Sequence, residues 1–165
     1  NREFRCVESC RTGKALDTFI KTLRPVVKDA ERFGVTIAIE PVYKHIVCSP
    51  ERARIVLDEI DSPNLRIIFD PVNLLAPDQI DKRDETIKDA IDKLGEEIAM
   101  IHLKDYRVTD DKMTCMACGL GDMDYSQVLR FAKEKKPYIQ ATLENTTPAN
   151  AVAALNHIRA VYDKV

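Results

Sequence analysis

Four side chains able to bind a metal ion stand where apolar, strand-like stretches of the sequence end. They are Glu40, Asp70, His102 and Glu144. In a parallel α/β fold the carboxyl ends of the strands lie at one edge, where binding and catalytic sites form. Three carboxylates held close together repel one another, and a divalent cation relieves that repulsion. The pattern therefore predicts a metal site made of three carboxylates and one imidazole.

The predicted donor set is rich in oxygen and contains one nitrogen, which suits Mn²⁺, Mg²⁺, Co²⁺ or Zn²⁺ without discriminating among them. The alternative is that each acid only caps the following helix or forms an ion pair. A single acidic residue after a strand carries little information by itself. Four successive strands that each end in a ligand-type side chain favour the metal site.

Alternating helix-like and strand-like stretches have to position these residues. Apolar spacing predicts five helices, at residues 16–33, 49–61, 86–94, 125–135 and 148–162. Short apolar stretches rich in β-branched residues predict four strands, at residues 35–40, 65–69, 98–103 and 138–143. Residues 3–7 are a candidate fifth strand. Alternation of this kind, with nearly continuous apolar strands, predicts an α/β fold with a parallel sheet.

Three local expectations accompany this outline. Pro25, inside the first helical stretch, is expected either to kink the helix or to begin a second helical segment. Residues 104–124 are expected to form a long loop. The inner side of the last helix is expected to consist of Ala149, Val152, Leu155 and Ile158.

Length and composition limit the class of protein. The chain has 165 residues, 45% of them hydrophobic and 32% charged, with a formal net charge of −2. These values predict one globular domain over residues 1–165, with no membrane span and no basic surface for nucleic acid. Five cysteines without a secretory segment predict reduced thiols and a cytoplasmic location. A full (β/α)8 barrel takes roughly 250 residues, so this length accommodates about five of its eight units.

Five short motifs around the candidate ligands follow one another along the chain. They are AIEP at 38–41, IFDP at 68–71, IHLKD at 101–105, GLGDMD at 119–124 and TLE at 142–144. In order and spacing they resemble the motifs of the xylose isomerase-like TIM barrels. This superfamily includes sugar phosphate isomerases and epimerases, ketose 3-epimerases, dehydratases and endonuclease IV. The resemblance extends from about residue 16 to the end of the chain.

The resemblance implies that the chain is the carboxyl-terminal half of such a barrel. The four ligand candidates would then come from barrel strands 5, 6, 7 and 8, and residues 3–7 would be a remnant of strand 4. Half a barrel exposes the edges of its outer strands and apolar residues of its inner face. We therefore expect a homo-oligomer or an association with the missing amino-terminal half.

The activity that the resemblance implies is isomerisation or epimerisation of a sugar or sugar phosphate. A bound metal would hold neighbouring substrate oxygens and stabilise an enediolate, while Glu40 and Glu144 would remove and return a proton. The residues do not show which glutamate performs which step. A dehydratase with the same metal and base is one alternative, and a catalytically incomplete half-barrel is another. An endonuclease IV-like enzyme is disfavoured, because the chain has only three histidines.

Neighbouring polar residues are candidates for contact with the substrate. His45 is a candidate for contact with a sugar hydroxyl, with a solvated loop histidine as the equal alternative. Asn73 can hydrogen-bond a hydroxyl, and in many ketose epimerases a histidine stands at its position. Lys104 and Arg107 are expected to bind a phosphate or carboxylate, with an exposed loop salt bridge as the alternative. Asp105 is expected to orient His102 or Lys104 from behind.

The cysteines offer a weaker pattern. Cys115 and Cys118 are spaced as C-x2-C, and Cys6 and Cys10 as C-x3-C. Four such thiolates can hold a structural zinc ion, and two can form a disulfide. The second spacing is unusual for a zinc site, so free thiols are the main expectation.

Overall fold

The structure is a computed structural model, and it describes residues 8–165. The helices are α1 (Gly13–Phe33), α2 (Pro50–Ile60), α3 (Arg83–Leu94), α4 (Ser126–Lys135) and α5 (Ala151–Tyr162). The strands are β1 (Ile37–Ile39), β2 (Leu65–Phe69), β3 (Ile98–Leu103), β4 (Asp105–Thr109), β5 (Lys112–Met116) and β6 (Gln140–Leu143). Short 3₁₀ helices span Glu8–Arg11, Val72–Leu74 and Pro77–Lys82.

Four of the strands form one parallel sheet in the order β1-β2-β3-β6. On the helical side of the sheet, β2 buries alternate residues, and the central strand β3 contributes further apolar side chains to the core. These residues are Leu65, Ile67, Phe69, Ile98, Ile101 and Leu103. Consecutive helices from α1 to α5 contact one another across this side. The predicted α/β fold with a parallel sheet and flanking helices is confirmed.

Local sequence fixes where the elements begin and end. Gly34 ends α1 in the left-handed conformation, with φ of 66°, where a residue without a Cβ atom is favoured. Ser49 caps α2 by accepting a hydrogen bond from the Arg52 backbone N–H, and Pro50 occupies the first turn. Both helix boundaries match the expectation from the sequence. They set the length of chain between each helix and the strand that carries a candidate ligand.

The region expected to be a long loop contains a β-hairpin, so that expectation is wrong. Strands β4 and β5 pair in antiparallel register from Asp105 opposite Met116 to Thr109 opposite Lys112. The connecting residues, Asp110 and Asp111, have φ of 49° and 58°. Tight hairpin turns of this hand usually contain glycine or asparagine, and two aspartates give a weaker turn pattern.

The prediction of which residues form the inner side of the last helix is also largely wrong. Of the four residues, only Ile158 is buried; Val152 and Leu155 are 70% and 37% exposed, and Ala149 precedes the helix and is exposed. The buried side of α5 instead carries Ala154 and Ile158, one turn apart. α5 packs on α4 and follows an outer strand, and Val152 and Leu155 lie on its exposed side.

Two further local expectations concern Pro25 and residues 3–7. α1 runs through Pro25 as one helix, so a second segment does not begin there. Pro25 is exposed, and water can therefore bind the carbonyl group that a proline leaves unpaired one turn earlier. The candidate strand at residues 3–7 lies outside the described residues.

Both outer strands of the sheet have an unpaired edge within residues 8–165. β1 pairs only with β2, and β6 pairs only with β3. On the face away from the helices, Ala38 and Thr142 are exposed. Open edges and an exposed inner face agree with the expectation for half a barrel. None of the described helices is long and apolar enough to span a membrane.

Candidate metal centre

The parallel register brings the four predicted ligands to one edge of the sheet. Glu40, Asp70 and Glu144 each directly follow a strand, and His102 is the second-last residue of β3. Ligand atoms of Glu40, Asp70 and His102 lie within 4.8 Å of one another. The Glu144 carboxylate approaches the same group, with its Oε1 3.0 Å from His102 Nδ1. The structure therefore brings together all four side chains.

Asp70 presents one oxygen to the backbone and the other to the site. Its side chain is fully buried, and Oδ1 accepts hydrogen bonds from the backbone N–H groups of Val72 and Asn73, at 3.0 and 3.2 Å. Oδ2 is buried without a directed hydrogen bond. Burial raises the pKa of Asp70 to about 6, against the opposite effect of the Lys104 ammonium. Oδ2 is thus the oxygen available to a metal ion.

His102 offers a ring nitrogen to the same space. Nδ1 is buried without a hydrogen-bond partner, 3.0 Å from Glu144 Oε1 and 3.4 Å from Glu40 Oε1. Buried polar atoms without hydrogen bonds are costly unless another partner compensates them. Nδ1 of His102 faces the Glu40 and Glu144 carboxylates, and Asp70 belongs to the same cluster, so a cation among these groups would satisfy Nδ1 and balance the carboxylates. The residues present therefore fit a divalent metal.

Lys104 lies inside the cluster, and the alternative of an exposed loop salt bridge does not apply to it. Its side chain is 7% exposed, with Nζ 2.7 Å from Asp70 Oδ2 and 2.8 Å from Glu144 Oε2. Burial alone would lower the pKa of Lys104, but these two carboxylates outweigh burial and raise it. The ammonium group thus neutralises part of the negative charge of the site.

Asn73, expected to bind substrate, is engaged with a predicted metal ligand. Its Nδ2 donates a hydrogen bond of 2.7 Å to Glu40 Oε1. The 3₁₀ turn Val72–Leu74 after β2 carries Asn73 back toward β1. An amide that donates a hydrogen bond to a carboxylate oxygen restricts the orientation of the whole carboxylate. Asn73 is therefore placed to position Glu40.

We expect Asn73→Ala to weaken Mn²⁺ binding about tenfold, because Glu40 loses the amide that orients it. Isothermal titration of metal-stripped protein measures this change. Asn64→Ala is the matched control, since Asn64 donates its side-chain hydrogen bond to the carbonyl oxygen of Val35 at the other end of β1. Equal affinities in the Asn73 variant and the wild type would show that Asn73 does not position Glu40.

The Asp105 carboxylate contacts backbone groups in the structure, and the expectation that it orients His102 or Lys104 stays a prediction. Its Oδ1 accepts hydrogen bonds from the backbone N–H groups of Tyr106 and Met123, and its Oδ2 accepts one from Gly119. Side chains of an extended segment alternate between two faces, so Asp105 points away from the side shared by His102 and Lys104. Asp105 therefore fixes the backbone that follows the hairpin.

The remaining candidates lie at the rim. His45 lines a cavity of about 450 Å³ that also contacts Glu40, Lys44 and Cys10. Arg107 is half exposed; its guanidinium donates a hydrogen bond to the Leu120 carbonyl and lies 3.8 Å from Asp122. The structure therefore brings His45 close to the metal cluster and leaves Arg107 on the hairpin surface.

Sequence reasoning did not identify every residue around the site. A second cavity, of about 310 Å³, borders Glu40 and Asn73 and is also lined by Lys44, Met113 and Cys115. Met113 and Cys115 belong to β5, so only recognition of the hairpin would have placed them there. Cys115 and Cys118 are free cysteines, as are Cys10 and Cys48; Cys6 lies outside the described residues.

A parallel βα sheet with carboxylates and a histidine gathered at its carboxyl edge is typical of the TIM-barrel class. The chain belongs to the xylose isomerase-like TIM barrel family, whose sequence model matches residues 4–161. The resemblance seen in the motifs is therefore confirmed. A comparison with curated protein sequences gives no significant match.

Solved structures share the fold at low sequence identity. A xylose isomerase domain protein from Planctomyces limnophilus is 19% identical with a TM-score of 0.68, covering 90% of this chain and 52% of its own. The probable 3-DHS dehydratase AsbF from Bacillus anthracis is 13% identical, with a TM-score of 0.65 and coverages of 86% and 55%. A xylose isomerase-like TIM barrel protein from Mycobacterium smegmatis, in complex with magnesium, is 17% identical, with a TM-score of 0.64 and coverages of 91% and 50%.

Further similar structures include sugar epimerases and a protein that binds a zinc atom. The chain spans about half the length of the solved barrels that it matches. Most proteins of the family and most of these similar structures are enzymes.

Proposed function

We propose that the chain carries the metal centre of a divalent-metal-dependent isomerase or epimerase of a sugar or sugar phosphate. The main support is the convergence of Glu40, Asp70 and His102 within 4.8 Å, with the Glu144 carboxylate beside them. The sugar epimerases among the similar structures favour this chemistry. The chain spans about half the length of those proteins, so isomerase or epimerase activity of this chain is a proposal.

The proposed ligands are Glu40, Asp70, His102 and Glu144, and the donor set is compatible with Mn²⁺, Mg²⁺, Co²⁺ or Zn²⁺. Similar structures contain magnesium or zinc. A bound divalent ion supplies a Lewis acid that polarises the substrate carbonyl and offsets the charge developing on its oxygen.

Proton transfer is assigned to Glu40 and Glu144. They come from the two outer strands of the sheet and approach His102 Nδ1 to 3.4 and 3.0 Å respectively. Carboxylates on two sides of one substrate carbon can remove its proton and return it to the opposite face, which inverts the configuration of that carbon. His45, which lines the cavity beside Glu40, would contact a substrate hydroxyl.

A dehydratase is the second candidate, favoured by the similarity to a probable 3-DHS dehydratase. Both reactions begin when a carboxylate removes a proton next to a carbonyl. The dehydratase then expels a hydroxyl group from the neighbouring carbon, whereas the epimerase returns the proton. Loss of water from the substrate therefore distinguishes the two reactions.

We expect Mn²⁺-loaded protein to exchange the proton next to the carbonyl of a ketose or ketose phosphate with solvent deuterium. Proton NMR in D₂O measures this exchange over a panel of such sugars, and it also detects loss of water. Glu144→Gln should slow the exchange at least about a hundredfold, because an amide can neither accept nor donate the proton that this carboxylate would carry. Metal binding without exchange of any sugar would contradict the activity and favour the incomplete half-barrel.

A further inference from the structure

We propose that Lys104 is a built-in counter-ion of the metal-free site, which a divalent ion has to displace in order to bind. This proposal rests on the metal centre of the proposed function and deepens it. Nζ of Lys104 contacts Asp70 at 2.7 Å and Glu144 at 2.8 Å, and the lysine side chain is 7% exposed. The ammonium thus occupies the space between two proposed metal ligands.

The two cations compete for the same oxygen atom. Oδ1 of Asp70 is taken by two backbone N–H groups, so Oδ2 is the oxygen left for a metal. The Lys104 ammonium lies next to Oδ2. Two positive charges in contact with one buried carboxylate oxygen repel each other strongly, because little water separates them. A metal ion on Oδ2 therefore requires Lys104 to withdraw.

Charge balance explains why a lysine stands at this position. Glu40, Asp70 and Glu144 bring three carboxylates around His102, and the Asp70 side chain is fully buried. Without a cation, the repulsion between these groups would push them apart. Lys104 holds Asp70 and Glu144 together, which keeps the ligand set assembled before a metal arrives.

The surrounding backbone allows the side chain to move alone. The Tyr125 hydroxyl donates a hydrogen bond of 3.0 Å to the Lys104 carbonyl, and Asp105 accepts three backbone N–H groups next to it. These contacts hold the main chain at the end of β3. Displacement of the ammonium therefore requires rotation of the flexible lysine side chain, without movement of the strand.

Titration of metal-stripped protein with Mn²⁺ tests the competition. We expect Lys104→Met to bind Mn²⁺ at least about tenfold more tightly than the wild type, because the metal no longer displaces a cation. Lys88→Met is the matched control: it removes the same charge from an exposed ion pair with Asp92 on α3, and its affinity should remain that of the wild type. Equal or weaker binding by Lys104→Met would overturn the proposal.

Acetylation of the wild-type protein gives a second test that requires no variant. Mass spectrometry after brief treatment with acetic anhydride measures how accessible each lysine is. Mn²⁺ should increase acetylation of Lys104 several-fold and leave Lys88 unchanged, whereas unchanged or decreased acetylation of Lys104 would contradict displacement. Failure of both the wild type and Lys104→Met to bind Mn²⁺ would overturn the metal centre, and the proposed function with it. Equal binding by both overturns only the role of Lys104.

Discussion

Asp70→Asn should weaken Mn²⁺ binding by about a hundredfold or more, because it removes the buried oxygen that the backbone leaves available. The asparagine Oδ1 still accepts the N–H groups of Val72 and Asn73, so the turn after β2 is retained. Its amide nitrogen takes the place of Oδ2, offers no lone pair to a metal ion, and faces the Lys104 ammonium. Isothermal titration measures the affinity, and circular dichroism checks the fold.

A matched control separates this effect from a general loss of negative charge. Asp58→Asn makes the same change in an exposed ion pair with Arg54 on α2 and should leave Mn²⁺ affinity unchanged. If the Asp70→Asn protein is folded and its Mn²⁺ affinity lies within about threefold of the wild-type affinity, Asp70 is not a ligand.

Asp105→Asn should destabilise the protein by about 3 kcal/mol, because a buried carboxylate that accepts three backbone N–H groups loses its charge and one acceptor. If the asparagine carbonyl oxygen keeps the hydrogen bonds from the backbone N–H groups of Tyr106 and Met123, its NH₂ group faces the backbone N–H of Gly119. Two hydrogen-bond donors then point at each other, and neither has an acceptor. A change of this size lowers the melting temperature of a chain of this length by about 6–12 °C. Differential scanning calorimetry measures that shift.

The hairpin turn supplies the control for this variant. Asp111→Asn removes one charge at a left-handed position with φ of 58°, where asparagine is well accommodated, so the melting temperature should hardly change. Unchanged stability of Asp105→Asn would contradict the role of Asp105 in fixing the backbone. A large loss of Mn²⁺ affinity at temperatures where the variant stays folded would instead support the sequence expectation that Asp105 orients His102 or Lys104.

The regular elements were predictable because strong local patterns coincide with the tertiary structure. β2 and β3 match the predicted ranges residue for residue, since both lie in the middle of the sheet and bury most of one face. β1 and β6, at the outer edges, are shorter than predicted. Pairing on one side only gives fewer hydrogen bonds to define the strand ends.

Local patterns failed where distant contacts decide the structure. The buried side of α5 depends on which neighbouring helix exists, and the periodicity of its apolar residues fits more than one face. The β4–β5 hairpin depends on the strand pairing from Asp105 to Thr109 and on a turn of two aspartates. Neither the pairing nor the left-handed turn has a strong sequence pattern.

The candidate ligands were predictable because each stands at the end of a strand, and parallel strands share one carboxyl edge. The roles of Lys104 and Asn73 were not predictable in the same way. Lys104 lies on the same face as His102, two residues on, but only the structure shows its ammonium between Asp70 and Glu144. Asn73 reaches Glu40 through a 3₁₀ turn, a path that strand alternation does not describe.

The most direct test of the metal centre is the anomalous scattering of Mn²⁺ in crystals of the protein. The predicted result is a single strong peak in contact with Glu40, Asp70 Oδ2, His102 Nδ1 and Glu144, with the Lys104 ammonium moved away from Asp70. The contradictory result is Mn²⁺ bound only elsewhere on the molecule, with Lys104 still between Asp70 and Glu144.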